Sequence, residues 1–110
     1  MSHRATHRYA RIAPRKARLI ADLIRGMDID RAMTELDVSK RRGAYYFKNV
    51  LKSAIANAEE ADADVTSLFV SESRVDEGPT IKRFQPKDRG RAHPIRKRTS
   101  HLHIIVAERA

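Results

Sequence analysis

The chain has 110 residues, a formal net charge of +9 and no cysteine. Its length supports one domain with a modest core and is too short for an elaborate enzyme with a separate substrate domain. The lack of cysteine excludes a disulfide framework and thiolate catalysis, and the excess of cations predicts salt-sensitive attraction to nucleic acid or to an acidic membrane surface. Because no apolar run has the length of a signal-peptide core or a membrane span, we expect a soluble cytoplasmic protein without a membrane partner.

The charge is segregated towards the two ends of the chain. Residues 1–21 hold six bases and no acid, whereas residues 26–78 hold eleven acids against seven bases. The stretch from Pro79 to His103 holds eight bases against a single acid, Asp88. Cations at this density repel one another unless a polyanion or solvent screens them, and RNA is the polyanion that we favour.

The first predicted elements are a strand and a helix. Residues 3–12 alternate in part, as is typical of a strand with one basic face. One side of this strand holds Ala5, His7 and Tyr9, and the other holds Arg4, Thr6 and Arg8. Pro14 suits the first position of a helix, Arg15 to Arg25 continue it, and Gly26 ends it.

Two further helices are predicted before residue 62. Asp28 or Asp30 caps a short second helix that ends near Asp37, and Ser39 caps the third and longest, from Lys40 to about Ala61. The third helix contains three adjacent aromatic residues. Core and rim packing is the interpretation we favour for them over a base-stacking platform, because they lie on a helix; they are Tyr45, Tyr46 and Phe47.

Two strands are predicted to flank the basic stretch and to pair with each other. They run from Val65 to Asp76 and from Arg98 to Glu108, where His101 and His103 face outward. With the N-terminal strand they give an α+β fold, in which a three-stranded antiparallel sheet packs on three helices. The predicted core residues are Ile20, Leu23, Ile24, Leu36, Phe47, Leu51, Ile55, Leu68, Val70, Leu102, Ile104 and Val106.

The basic stretch itself predicts a long β-hairpin arm. The turn-prone Asp88-Arg89-Gly90 lies at its centre, and apolar residues interleave with the cations. An arm that starts near Pro79 and turns near Arg89 has a length of roughly 33 Å at about 3.3 Å per residue. We therefore expect a single domain with a body, residues 1–78 and 98–110, and an arm, residues 79–97.

Chemistry other than binding has weaker support. His7, His101 and His103 could act as acid and base in a small ribonuclease, although a histidine on a basic sheet more often contacts phosphate. No third ligand with metal-site spacing accompanies the histidine pair of the last strand, and no Gly-rich loop suits a nucleotide cofactor, so we expect no metal and no cofactor. An architectural DNA-binding protein with a β-arm is a second alternative, but it requires a dimerising core.

Several segments resemble one known family, the bacterial large-subunit ribosomal protein L-twenty-two. The similar segments occur in the order of the family and cover nearly the whole chain. They are RKARLIADLIRG (Arg15 to Gly26), SAIANAE (Ser53 to Glu59), VDEGP (Val75 to Pro79), IKRF (Ile81 to Phe84), GRA (Gly90 to Ala92) and KRTSH (Lys97 to His101). A basic composition alone does not produce this match.

The resemblance implies a structural role in the large subunit and no enzymatic activity. It implies a monomeric protein that binds large-subunit rRNA and neighbouring ribosomal proteins, aids assembly of the subunit, and lines the polypeptide exit tunnel beside the nascent polypeptide. Together with the charge pattern it indicates rRNA contacts at Arg4, Arg8, Arg11, Arg15, Lys16, Arg18, Lys82, Arg83, Lys87, Arg89, Arg91, Arg96, Lys97, Arg98 and His101. It implies tunnel-lining positions at Ile81, Lys82, Arg83, Arg89, Gly90, Arg91 and Ala92.

Two positions depart from the family pattern. Asp88 adds an acid to a tip that is usually basic or neutral. Pro94 has no N–H to donate, which weakens ladder pairing in the outer arm and favours a loop-like tip.

Overall fold

The fold combines a three-stranded sheet, three helices and a two-stranded ribbon. The computed structural model describes residues 2–87 and 91–109, with side-chain positions for those outside 83–96. In chain order the elements are β1 (Ser2–Ala10), α1 (Pro14–Ile24), α2 (Ile29–Val38), α3 (Arg42–Glu60), a 3₁₀ turn (Val65–Ser67), β2 (Leu68–Glu77), β3 (Ile81–Lys87), β4 (Arg91–Lys97) and β5 (Ser100–Glu108). This arrangement confirms the predicted α+β class.

The last strand is the centre of the sheet. The strand order is β1-β5-β2, and both pairings are antiparallel, so the predicted pairing of the two strands that flank the basic stretch is confirmed. Val106 lies opposite His3 of β1 and Val70 of β2. Strand β5 is the central strand and the helices cover one face of the sheet, so the β5 side chains on that face are fully buried. Their burial fixes the register of the sheet.

The helices cover one face of this sheet and bury one continuous core. Most of the predicted core is confirmed, with Ile20, Phe47, Leu51, Leu102 and Ile104 at most 1% exposed. Two predicted core residues differ. The prediction that Leu23 is a core residue is wrong, since its side chain is 42% exposed. Helix α1 buries the face that carries Ala17, Ile20 and Ile24, and Leu23 lies outside that face. Ile55 is partly buried and packs at the edge of the core.

The helix boundaries follow the predicted signals, with one correction. Pro14 occupies the first turn of α1, and Gly26 follows its C-terminus with φ of 84°, a conformation that glycine adopts at no steric cost. The third helix starts at Arg42 rather than Lys40, so the predicted Ser39 cap is wrong. The Ser39 hydroxyl instead accepts a hydrogen bond from the Arg41 N–H at 3.3 Å, within the linker.

The strand predicted from Val65 begins only at Leu68. Asp64 accounts for the difference, because its carboxylate accepts hydrogen bonds from the Thr66 N–H at 3.1 Å and the Thr66 hydroxyl at 2.6 Å. A short polar side chain that bonds to the backbone two residues on favours a turn over a strand. Residues 65–67 therefore form one 3₁₀ turn at the end of the sheet.

The two arm strands form a separate antiparallel ribbon. Their register runs from Ile81 opposite Lys97 to Lys87 opposite Arg91. Pro94 does not interrupt the pairing, since it lies opposite Phe84 in this register. Both strands of a ribbon are edges, so alternate N–H groups point away from the partner and a proline can be accommodated. The predicted turn at residues 88–90, and with it the loop-like tip, lies outside the described residues.

Candidate nucleic-acid interface

The arm joins the sheet at a closely packed irregularity, which we call the arm root (residues 78–80 and 98–99). Three residues of one strand oppose two of the other between the pairs Glu77–Ser100 and Ile81–Lys97. The Gly78 N–H donates to the Thr99 carbonyl at 2.9 Å, and the buried Thr99 hydroxyl donates to the Pro79 carbonyl at 2.6 Å. The root is therefore a hydrogen-bonded joint rather than a free linker.

Only a glycine fits at position 78 without a shift of Thr99, because the two chain segments lie very close together there. A Cβ atom on Gly78 would lie 2.5 Å from the Thr99 hydroxyl oxygen and 3.3 Å from the Thr99 carbonyl carbon and oxygen. The first of these distances is shorter than any ordinary contact, so Thr99 would have to move. The close approach of the two chains at the root thus depends on the missing side chain.

The start of α1 lies beside the arm root. The Ser100 hydroxyl donates to the Ile12 carbonyl at 2.6 Å, which ties the loop before α1 to the first residue of β5. A cleft separates Pro14 from the base of the arm, and two cations, Lys82 and Arg98, line it together with Glu77. The two basic segments, which are about 80 residues apart in sequence, therefore meet at the root.

A second concavity adjoins this loop, and we call it the root groove. Its lining consists of Arg11, Ile12, Ala13, Lys16, Leu19, Arg41, Arg42 and Gly43. Gly43 brings the first turn of α3 against the loop, because a Cβ there would lie 2.8 Å from the Ile12 Cδ1 and 3.3 Å from the Ile20 Cγ1. The fold thereby adds cations of α3 to those of the N-terminal segment.

Sequence reasoning missed Arg41 and Arg42. They lie within residues 26–78, which are acidic on average, and that average concealed a local run of three cations from Lys40 to Arg42. The run itself was a signal that could have identified them. Both side chains are exposed at the start of α3, next to the predicted Arg11 and Lys16.

The opposite end of the body, which we call the far end, carries carboxylates. The end of α3 and the following turn hold Glu59, Glu60, Asp62 and Asp64, all exposed. Asp28 also lies there, and its carboxylate accepts from the Arg109 guanidinium at 2.8 Å, while that guanidinium stacks over the Phe69 ring at 4.4 Å. The body is therefore electrically polarised along β5, with cations at the root and acids at the far end.

The three histidines of the ribonuclease alternative do not form one site. His7 faces the helices and packs edge-on against Tyr46 of α3, with ring centroids 5.6 Å apart. His101 and His103 lie on the open face of the sheet, where the His101 Nδ1 accepts from the Tyr9 N–H at 3.1 Å. The sheet itself separates His7 from the other two rings. Among the described residues, no group of three or more potential ligands could hold a metal ion.

The surroundings of His103 favour the neutral form of its ring. Its Nε2 lies 2.9 Å from an Asp76 carboxylate oxygen, and its Nδ1 lies 3.1 Å from the Thr6 hydroxyl. Burial lowers the pKa of His103 below its usual value of 6.5, and the attraction of Asp76 opposes this effect only in part. Neutral His103 can donate from Nε2 and accept at Nδ1, which satisfies both neighbours.

The remaining predicted contact residues are distributed over three places. Arg4 and Arg8 are exposed on the open face of the sheet, and Arg15 and Arg18 are exposed on α1. Exposed Lys97 ends β4, half-buried Ile81 starts β3, and half-buried His101 lies in β5. The side chains of the other arm positions, Arg83, Lys87, Arg91, Ala92 and Arg96, and the whole of Arg89 and Gly90, lie outside the described side chains or residues.

The aromatic residues of α3 occupy core and rim positions. Phe47 is fully buried, Tyr46 is half-buried against His7, and Tyr45 is 67% exposed and lies edge-on to Tyr46. Two of the three therefore pack as predicted, and Tyr45 projects from the rim.

A small basic α+β body, a basic ribbon that leaves its sheet, and histidines that form no common site are the features of a ribosomal protein rather than of an enzyme. The chain belongs to the family described as ribosomal protein L22p/L17e, whose model matches residues 5–107. It is thus a structural protein of the ribosome, in the cytoplasm, and not an enzyme.

Similar proteins match along almost their whole length. A relative named large ribosomal subunit protein uL22, from Lacticaseibacillus casei, is 52% identical over 106 residues, which are 96% of this chain and 91% of the relative. A relative of the same name from Ligilactobacillus salivarius is 52% identical over 107 residues, covering 96% of this chain and 93% of the relative. In the described part of the chain, no helix combines the length and the hydropathy needed to cross a membrane.

Proposed function

We propose that this chain is a constituent of the large ribosomal subunit that binds large-subunit rRNA through cations gathered at the arm root. The observation that carries the proposal is that cations of separate basic segments line two concavities, which reach the consecutive residues Ala13 and Pro14. We call these cations the root surface and define it as Arg11, Lys16, Arg41, Arg42, Lys82 and Arg98. Cations clustered around a concave surface are typical of a protein that binds nucleic acid.

The binding is directed mainly to phosphates. Double-helical RNA has a deep, narrow major groove that side chains do not read, so shape, phosphates and 2′-hydroxyls are the accessible features. The far end, with its exposed carboxylates, is repelled by the same polyanion. This polarity orients the protein, with the root surface towards rRNA and the acidic end away from it.

The arm extends this interface away from the body. The molecule measures 63 × 24 × 17 Å along its principal axes, and the ribbon of β3 and β4 continues beyond the sheet. We propose that rRNA surrounds the arm, and that Ile81, Lys82, Arg83 and the segment from Arg89 to Ala92 line the polypeptide exit tunnel beside the nascent chain. The support is the family membership and the extended ribbon. Binding by a monomer and a role in subunit assembly belong to the same proposal.

Purified protein and defined RNA test the core of the proposal. If six to ten phosphates are contacted, affinity for large-subunit rRNA falls by about 10³- to 10⁵-fold between 50 and 200 mM salt. The protein should also co-sediment with large subunits after a high-salt wash, where rRNA encloses it. Affinity that hardly changes with salt contradicts the phosphate contacts. Equal affinity for an RNA duplex and a DNA duplex of the same sequence favours the architectural DNA-binding alternative instead.

A further inference from the structure

The lining of the root groove includes apolar side chains as well as cations, and we call these side chains its apolar floor. Leu19 of α1 is 52% exposed, and half-buried Ile12 lies beside it. The groove has a volume of about 590 Å³, within the range of roughly 300–1,000 Å³ typical of pockets that bind small molecules. Phosphate contacts alone leave this apolar part of the lining unused, whereas a ligand with an apolar face buries it.

Four cations also line the groove: Arg11, Lys16, Arg41 and Arg42. Among the ion pairs of the described residues, none involves any of the four, so their charge is available to a ligand. The first turns of α1 and α3 contain no acid, and neither helix has a side-chain cap, so both helix dipoles add to the positive potential. The apolar and the cationic lining residues together indicate a ligand that has both an apolar face and a negative charge.

We propose that the root groove binds one unpaired nucleotide of RNA, with its base on Leu19 and Ile12 and its flanking phosphates at the arginines. This inference rests on the proposed RNA-binding function and specifies its substrate. A nucleotide has the required two parts, since its base has an apolar face and its phosphates are anions. Arginine can contribute twice, because its guanidinium both pairs with phosphate and stacks on a base.

The base must be unpaired to enter. In a double helix the faces of the bases are stacked on one another, so only a bulged, looped or terminal nucleotide presents a face to Leu19. An acidic protein segment would match the cations, but its carboxylates would not use the apolar floor. Inorganic phosphate would use neither the floor nor the separation of the cations around it.

Two exposed leucines of α1 provide a matched pair of variants. Leu19 lines the groove, whereas Leu23 lies one turn later, is 42% exposed and is not part of the lining. Neither Leu19→Ala nor Leu23→Ala removes a buried side chain, so both variants should fold, which circular dichroism checks. The probes are two RNA hairpins of the same stem, one fully paired and one with a single bulged adenosine.

The expected result is a specific loss of bulge preference. Wild type binds the bulged hairpin more tightly than the paired one, and Leu19→Ala weakens binding of the bulged hairpin by about 3- to 10-fold, as loss of buried apolar area predicts. Leu19→Ala leaves the paired hairpin unchanged, and Leu23→Ala changes neither. With 2-aminopurine as the bulged base, its fluorescence responds to wild type and to Leu23→Ala but not to Leu19→Ala.

Other outcomes overturn the inference without ambiguity. If both hairpins bind with steep salt dependence but Leu19→Ala behaves as Leu23→Ala does, the groove binds phosphates only and the proposed function still stands. If neither hairpin shows salt-dependent binding, the proposed function fails first. If a poly-glutamate peptide displaces the bulged hairpin at equal charge concentration, an acidic protein segment is the occupant.

Discussion

The two ends of the body are built on different principles. At the root, close backbone approach at Gly78 and Gly43 brings cations of separate segments together, and no acid other than Glu77 lines either concavity there. At the far end the exposed charges are mainly carboxylates, and the cation Arg109 pairs with Asp28 and stacks on Phe69. Cations attract a polyanion and carboxylates repel it, which indicates the end of the body that faces the partner.

The largest expected effect on stability is at the joint of the arm. Gly78→Ala should cost about 1–3 kcal/mol, because the new methyl group overlaps the Thr99 hydroxyl and forces a local shift. Urea unfolding measures this cost. The double variant with Thr99→Ala provides the control, since it removes the nearest atom. A double variant less stable than the sum of the two single variants would contradict the steric explanation.

A glycine of the far end gives a smaller effect of a different kind. Gly26 has φ of 84°, and nothing lies within 4 Å of a Cβ built there. Gly26→Ala should therefore cost about 1 kcal/mol through backbone strain alone, and Gly26→Asn should cost less, since asparagine tolerates this conformation. RNA affinity should not change in either variant. An RNA-binding defect in folded Gly26→Ala would break the distinction between the two ends.

The smallest effect is a dependence of stability on pH. Because burial lowers the pKa of His103 in the folded protein, the unfolded chain takes up the proton first as pH falls below about 6.5. This group therefore reduces stability with decreasing pH, and His103→Gln should flatten that dependence between pH 7.5 and 5.5. Urea unfolding at the two pH values measures it. An NMR titration that placed the His103 pKa above 6.5 would contradict the assignment.

Local patterns predicted the elements, and tertiary contacts decided the rest. The alternation along β5 and the helical spacing of Ile20 and Ile24 identified buried faces, because burial of one face imposes that period. The exposure of Leu23 depends on how α1 is rotated against the sheet, which spacing alone does not fix. The pairing through Pro94 depends on which N–H groups face outward in a ribbon, and this follows from register rather than composition.

The candidate site divides in the same way. Charge density identified Arg11 and Lys16 from the sequence, because nothing in their neighbourhood compensates them. Arg41 and Arg42 join them only through the contact of Gly43 with Ile12, which no local pattern encodes. His7 faces the helices, whereas Arg8 next to it is exposed. The separation of His7 from His103 could therefore be predicted once each side chain was assigned to the correct face of the sheet.

The central claim is that rRNA binds at the root, and a pair of charge-matched variants tests it most directly. Arg41→Gln with Arg42→Gln removes two cations of the root surface, and Arg31→Gln with Lys52→Gln removes two exposed cations of α2 and α3 that line neither concavity. Both variants have the same net charge. The measurement is the slope of log affinity for large-subunit rRNA against log salt concentration. The root variant should lower its magnitude by about 1.4–1.8, and the control should leave it unchanged; equal slopes in the two variants would contradict an interface at the root.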